Sequence, residues 1–263
     1  MPAPLFHVDA FASEPFRGNP AAVCLLAAAR DLEWMQAMAA ELSLPATAFV
    51  TPATDGLHGL RWFTAVAELG FCGHGTLASA HALWESGRLA GDAVARFATA
   101  AGVLAAARRE GWIETDFPAQ PATQTSAPPG LADALGVRPR WVGRNRLDYV
   151  VEVDDETTLR GITPDFAALA AIDTRGVAVT CAADSPPFDF VSRFFAPRVG
   201  LPEDSATGSA HCALGPLWAS RLGRAALTAY QASARGAVLR VTVAGERVTL
   251  AGQAVTVSRG ELL

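Results

Sequence analysis

Two short segments carry the side chains best suited to moving a proton. The first, Cys72-Gly73-His74-Gly75-Thr76, runs into a stretch of helical periodicity from Gly75 to Trp84. The second, Glu203-Asp204-Ser205-Ala206-Thr207, leads to Gly208-Ser209-Ala210 and helical periodicity from Gly208 to Leu222. Each predicted helix opens with Gly beside Thr or Ser, so its first amide N–H groups are free and its dipole end is positive. Such an end holds a carboxylate, or the enolate-like charge formed when a proton leaves the carbon beside one. A thiol at a helix start ionises more readily, and an imidazole there suits the role of neutral donor. Cys72 and His74 on one side, with Asp204 and Ser205 on the other, thus form an acid–base set for proton transfer at carbon without a cofactor.

The two segments also echo each other. Phe63-Thr64-Ala65, Cys72 to Thr76 and Ser79-Ala80-His81 recur in order as Phe195-Ala196-Pro197, Asp204 to Gly208 and Ser209-Ala210-His211. A strand, a turn and a helix repeated at half the chain length predict two related halves. Strand character marks Leu5–Phe11, Ala21–Leu26, Ala48–Thr51, Leu60–Phe63, Trp112–Asp116, Tyr149–Val153, Val177–Cys181 and Phe190–Phe195. The tail from Val238 to Val257 reads as a meander turning at Ala244-Gly245 and Ala251-Gly252. Further helices are expected over Leu32–Leu42 and Phe166–Ala171. Pro118 to Gly130, with Pro121, Pro128 and Pro129, reads as a linker. The expected domains are therefore 1–117 and 118–252, with a final strand, 253–263, added to the first.

Composition removes whole classes of function. All 21 basic residues are arginine, so no lysine Schiff base, P-loop or kinase-type lysine can form. The remaining candidate amine is the terminus, as Pro2 if Met1 is removed, and Pro2-Ala3-Pro4 reads as an extended lead-in. A formal charge of -5 and the lack of an Arg stripe interleaved with aromatics argue against nucleic acid. Cys24, Cys72, Cys181 and Cys212 show neither a CxxC pair nor zinc spacing, so no metal is expected. No signal-peptide pattern and no apolar run long enough to span a bilayer are found, and a cytoplasmic location with reduced thiols is the expectation.

Val8-Asp9-Ala10-Phe11, Pro15-Phe16-Arg17-Gly18-Asn19-Pro20, Thr47-Ala48-Phe49-Val50, Glu68, Gly73-His74, Asp116-Phe117-Pro118 and Glu203 to Ala210 together resemble the PhzF-like family of phenazine biosynthesis, in order and nearly end to end. The resemblance implies an α+β fold of the diaminopimelate-epimerase type: two similar domains, each a curved, mostly antiparallel sheet around a central helix. It also implies a homodimer without cofactor, and an interdomain site that isomerises a small carboxylate by moving a proton between carbons. By position, His74 matches the family's substrate-contacting His and Asp204 its active-site Asp. Asn19, Gly73, Gly75, Gly208 and Ser209 fall in its substrate pocket. Cys72 stands where the related epimerases and racemases keep a catalytic Cys, with Ser205 in place of their second one. A small buried filler is the other reading of Cys72.

One position departs from the pattern. The family's principal acid/base is a Glu just before Thr-Ala-Phe-Val, and here that position is Ala46. The resemblance thus supports an isomerase or epimerase with a modified proton set. Its alternative is a catalytically silent or altered homologue that binds a small carboxylate or serves as a scaffold. Glu41 lies on the preceding helix, and Glu68 is the carboxylate left near the site region. His81 and His211 fall inside helices and read as satisfied core histidines, and Cys24, Cys181 and Cys212 as core.

Overall fold

Short strands rich in Val, Phe and Ala dominate the first half of the chain, and two helices are laid between them. The computed structural model describes residues 2–263. In chain order the strands are β1 (Ala3–Ala10), β2 (Asn19–Leu25), β3 (Ala46–Thr54), β4 (Leu57–Phe63), β5 (Glu68–Leu69), β6 (Ala95–Thr99), β7 (Gly102–Arg109) and β8 (Trp112–Pro118). Helix α1 (Leu32–Leu42) joins β2 to β3, and α2 (Gly73–Glu85) joins β5 to β6. Asp31 caps α1 by accepting from the Trp34 amide at 2.7 Å.

The second half holds β9 (Thr123–Gln124), α3 (Leu131–Leu135), β10 (Trp141–Arg144), β11 (Asp148–Glu152), α4 (Glu156–Gly161), α5 (Phe166–Ala171), β12 (Gly176–Ala182) and β13 (Phe190–Phe195). It continues with α6 (Gly208–Leu222), β14 (Ala226–Gln231), β15 (Ala237–Ala244) and β16 (Arg247–Gly252). The last strand, β17 (Ala254–Leu262), pairs antiparallel with β1. The chain divides into two compact units: residues up to Asp116 with Ala251–Leu263, and Phe117–Leu250.

Strand pairing reproduces the echo seen in the sequence. In the first unit β1–β2 is antiparallel, β2–β3 parallel, β3–β4 antiparallel, β4–β6 parallel and β6–β7 antiparallel. In the second unit β10–β11, β11–β12, β12–β13, β13–β14 and β14–β15 repeat that series. Each parallel pair needs a crossover. Helices α1 and α2 supply it in one unit, and α4, α5 and α6 in the other.

Side-chain alternation assigns the faces of each sheet. In the first unit Cys24, Phe49 and Phe63 face α1 and form a core with Met35 and Ala39. The opposite face carries Ala21, Ala46, Ala48 and Trp62 and receives α2. Nearly all of α2 is buried, and its two hydroxyls are satisfied within the helix: Thr76 donates to the Cys72 carbonyl and Ser79 to that of Gly75, each at 2.7 Å. In the second unit Val191 and Phe195 face a core shared with Leu131, Leu159 and Leu169. Phe190, on the other face, stacks on Trp218 of α6 at 5.7 Å.

The Pro-rich stretch expected to be a linker is bound along its length to the second unit. Thr125 donates to Val142, β9 pairs with β10, and Ala119 donates to the Glu246 carbonyl at 2.8 Å. Gln120 donates at 2.9 Å to the carbonyl of Cys212. Pro216, inside α6, has no N–H with which to reach that carbonyl, so the Gln120 amide takes over the bond. Composition does not reveal this backbone pairing. Strands β6 and β7 were also not expected, because Ala and Arg fill most of their positions in place of β-branched residues.

Candidate functional site

Helix α2 begins without a side-chain cap. Its N-cap residue, Cys72, makes no capping hydrogen bond with its side chain. His74 stands at the second helical position and is partly exposed, whereas Cys72 and Gly73 are buried. The His74 Nδ1 atom lies 3.6 Å from Cys72 Sγ and 3.4 Å from Asn19 Nδ2. The structure thus brings together three of the expected residues from two elements. Asn19 arrives as the first residue of β2, on the face that α2 covers, and is fully buried.

Gly73 and Gly75 were expected to line the substrate pocket. Gly75 also has a packing reason: a Cβ there would meet Trp62 Cδ1 at 2.7 Å and Cys72 Sγ at 3.0 Å. Only glycine lets the first turn of α2 approach the indole so closely. Trp62 Nε1 is itself buried without a hydrogen-bond partner.

Ala46 is fully buried on the same face as Asn19, since it pairs with Ala21, two residues beyond Asn19 on β2. Neither carboxylate considered as its replacement shares that face. Glu41 is exposed near the end of α1, which covers the other side of the sheet. Glu68 pairs in register with Phe63, also on the α1 side, and is clasped by Arg61 Nε at 2.7 Å and Nη2 at 2.8 Å. These bonds hold its carboxyl below the usual carboxylate range. Glu68 is therefore a surface ion-pair member and no acid–base partner of His74. Asp9, in contrast, is buried and accepts the Phe16 amide at 2.7 Å, fixing the loop that leads into Asn19.

Helix α6 likewise starts without a side-chain cap, at Thr207. Asp204, nearly buried, accepts the Thr207 hydroxyl at Oδ2 over 2.7 Å, and its amide donates to Phe194 at 3.0 Å. Ser209, at the second position of α6, accepts from Arg175 Nη2 at 3.0 Å, while Arg175 Nε donates to buried Asp148 at 2.8 Å. Gly208, the first residue of α6, is buried. The second unit thus gathers Asp204, Gly208 and Ser209 at one helix start. Arg175 and Gln231, which contact this group, were not singled out in the sequence because they lie outside the repeated motif.

The two helix histidines differ. His81 Nε2 meets Glu85 at 3.0 Å and Thr256 at 3.1 Å, tying the last strand to α2. His211 is fully buried, with Nδ1 against the Thr207 carbonyl at 2.9 Å and Nε2 unpartnered. It is thus only half satisfied, contrary to expectation, because a mid-helix ring in this core reaches one backbone acceptor and no second group. Burial pushes it down to about 4. Burial likewise pushes the Cys24 and Cys181 thiols up to about 12, as fits core residues. Among the described residues no group of three or more His, Cys, Asp or Glu is arranged to hold a metal ion. No helix among them is long and apolar enough to cross a membrane.

Residues 8–260 match the family model described as phenazine biosynthesis-like protein. The chain belongs to this family. The phenazine biosynthesis-like match is supported by a relative called an uncharacterized isomerase in Halalkalibacterium halodurans, 50% identical over all of this chain and 99% of its own. A PhzF-family crystal structure from Enterococcus faecalis superposes with a TM-score of 0.95, at 39% identity and full coverage of both chains. A hydroxyproline epimerase from Agrobacterium vitis shares the fold alone, with a TM-score of 0.65 at 13% identity over 99% of this chain and 92% of its own. Phenazine biosynthesis-like membership and the α+β epimerase-type fold are thus shown, and the repeated strand series is the structural form of that fold.

Proposed function

We propose that the protein is an isomerase or epimerase that moves a proton between carbons of a small carboxylate, with no cofactor taking part. In this reading His74 and Cys72, at the start of α2, and Asp204, at the start of α6, are the groups that handle the proton. The observation that carries it is the pair of uncapped helix starts in two repeats, each set beside a protic side chain. The isomerase name of a relative 50% identical over the whole chain points to the same class of reaction.

The proposed step balances without an external reagent. A base takes the proton from the carbon beside the carboxylate, and the C–H bonding pair moves into the conjugated enolate. The positive helix ends stabilise that charge, and an acid returns a proton to another carbon or to the other face. His74 and Asp204 supply the base and the acid.

The test is proton exchange. A panel of small cyclic and amino-acid-like carboxylates is incubated with the protein in deuterated water, and carbon-bound deuterium is read by NMR. Incorporation should be lost in His74→Ala and in Asp204→Ala. Rates equal to the parent's in both variants would reject the assignment.

Ala46 favours a second reading, a homologue that binds carboxylates without turnover. Its methyl group shuttles no proton, and Glu41 and Glu68 lie on the α1 side of the sheet. Carboxylates that raise the melting temperature while no deuterium enters carbon would support this reading over the first.

A further inference from the structure

The segment from Glu203 to Thr207 is held from several sides. Arg193 clasps the Glu203 carboxylate with bonds of 2.8 and 3.0 Å, and Ser233 donates to the Ser205 carbonyl at 2.8 Å. Fully buried Gln231, the last residue of β14, reaches this segment with both ends of its amide. Its Oε1 accepts the Thr207 amide at 2.8 Å, and its Nε2 donates to the Asp204 carbonyl at 2.7 Å. Because one partner can only donate and the other can only accept, these bonds fix which way the amide faces.

The remaining bonds then have a fixed direction. Nε2 also donates to Thr207 Oγ1 at 3.1 Å, so that oxygen is an acceptor toward Gln231. The single hydroxyl proton of Thr207 is directed to Asp204 Oδ2, 2.7 Å away. Hydrogens thus point from Gln231 through Thr207 to Asp204, and the carboxylate is the terminal acceptor.

We propose that Gln231 and Thr207 are positioning residues that hold Asp204 as the base of the reaction, not its acid. This rests on the isomerase reading above. The C–H bond of the substrate breaks, its electron pair passes to the enolate, and the proton goes to Asp204. The relay contributes by keeping Asp204 in its accepting orientation while the charge moves.

Two measurements test it. In steady-state exchange, Thr207→Val should lower kcat on the order of 10- to 100-fold while KM stays within about twofold, since the loss is one of orientation. Thr207→Ser, which keeps the donor, should restore the rate. Gln231→Glu keeps Oε1 but loses both donors, and should behave like Thr207→Val. A merely structural role would lower stability without separating kcat from KM.

The second measurement needs no substrate. The Gln231 side-chain amide should give two resolved, slowly exchanging 15N-bound protons, which shift in Thr207→Val and in Asp204→Asn. Unmoved signals, or Thr207→Val and Thr207→Ser variants with the same kcat, overturn the relay. If the parent protein exchanges no proton with any carboxylate, the isomerase reading fails, and the Gln231 signals still decide whether the relay exists.

Discussion

Asn19 and His74, separated by 55 positions, meet where β2 begins and α2 begins, with Nδ2 and Nδ1 3.4 Å apart. An amide nitrogen only donates, so His74 Nδ1 is the acceptor and Nε2 carries the ring proton. That tautomer lets Nε2 act as a donor to a substrate. A net hydrogen bond is worth about 1 kcal/mol, so Asn19→Ala should slow carbon-proton exchange by about fivefold. Deuterium incorporation with a melting curve as control measures it. An unchanged rate counts against the His74 role.

Gly75→Ala tests the close approach of α2 to β4. The added methyl would lie 2.7 Å from Trp62 Cδ1, with Cys72 Sγ at 3.0 Å on its other side. Neither neighbour can give way easily in a filled core, so the change should cost about 1–3 kcal/mol in a denaturant titration. Combining it with Trp62→Leu should recover part of that loss, because the second substitution removes the clash. No recovery would place the strain elsewhere.

His211 gives the stability a pH dependence of defined sign. An unfolded histidine takes up its proton near pH 6.5, whereas this buried one does so near 4. Between those values the unfolded chain binds the extra proton, so stability is full above pH 6.5 and falls as pH drops toward 4. The shift corresponds to about 3 kcal/mol. His81, lowered by burial against the opposing pull of Glu85, adds to the same trend. Urea titrations across this range should show the slope, and His211→Gln should flatten it.

Ala46→Glu tests whether the missing carboxylate limits turnover. The new side chain would stand on the face that carries Asn19, whose amide already meets His74. General acid–base catalysis is worth about 10²- to 10⁴-fold, so exchange should rise on the order of 10²-fold or more. Burying a carboxylate should also lower the melting temperature. A folded variant with no gain in exchange would show that the chemistry does not pass through position 46.

Much of this protein could be read from its sequence. The repeated strand–turn–helix motif marked both helix starts and the duplication, because Gly-rich helix openings and apolar alternation are local signals. Cys72, His74, Asp204 and Ser209 stood out for the same reason. Strands β6 and β7 did not, since Ala95–Thr99 and Gly102–Arg109 pair through backbone register and not through strong propensity.

What the sequence determined by itself was the family, the two-fold repeat and the chemical types at each helix start, including the absence of lysine and of a Glu at position 46. What only the tertiary structure decided was which groups meet. Face assignment removed Glu68 and Glu41 from the acid–base set, because strand register puts Glu68 on the α1 side and Glu41 lies on α1 itself. The same long-range pairing brought Gln231 to Asp204 and Gln120 to the carbonyl that Pro216 leaves open. Hydrogen bonds between distant residues depend on register and on which face a strand presents, and neither is written in the residues that make them.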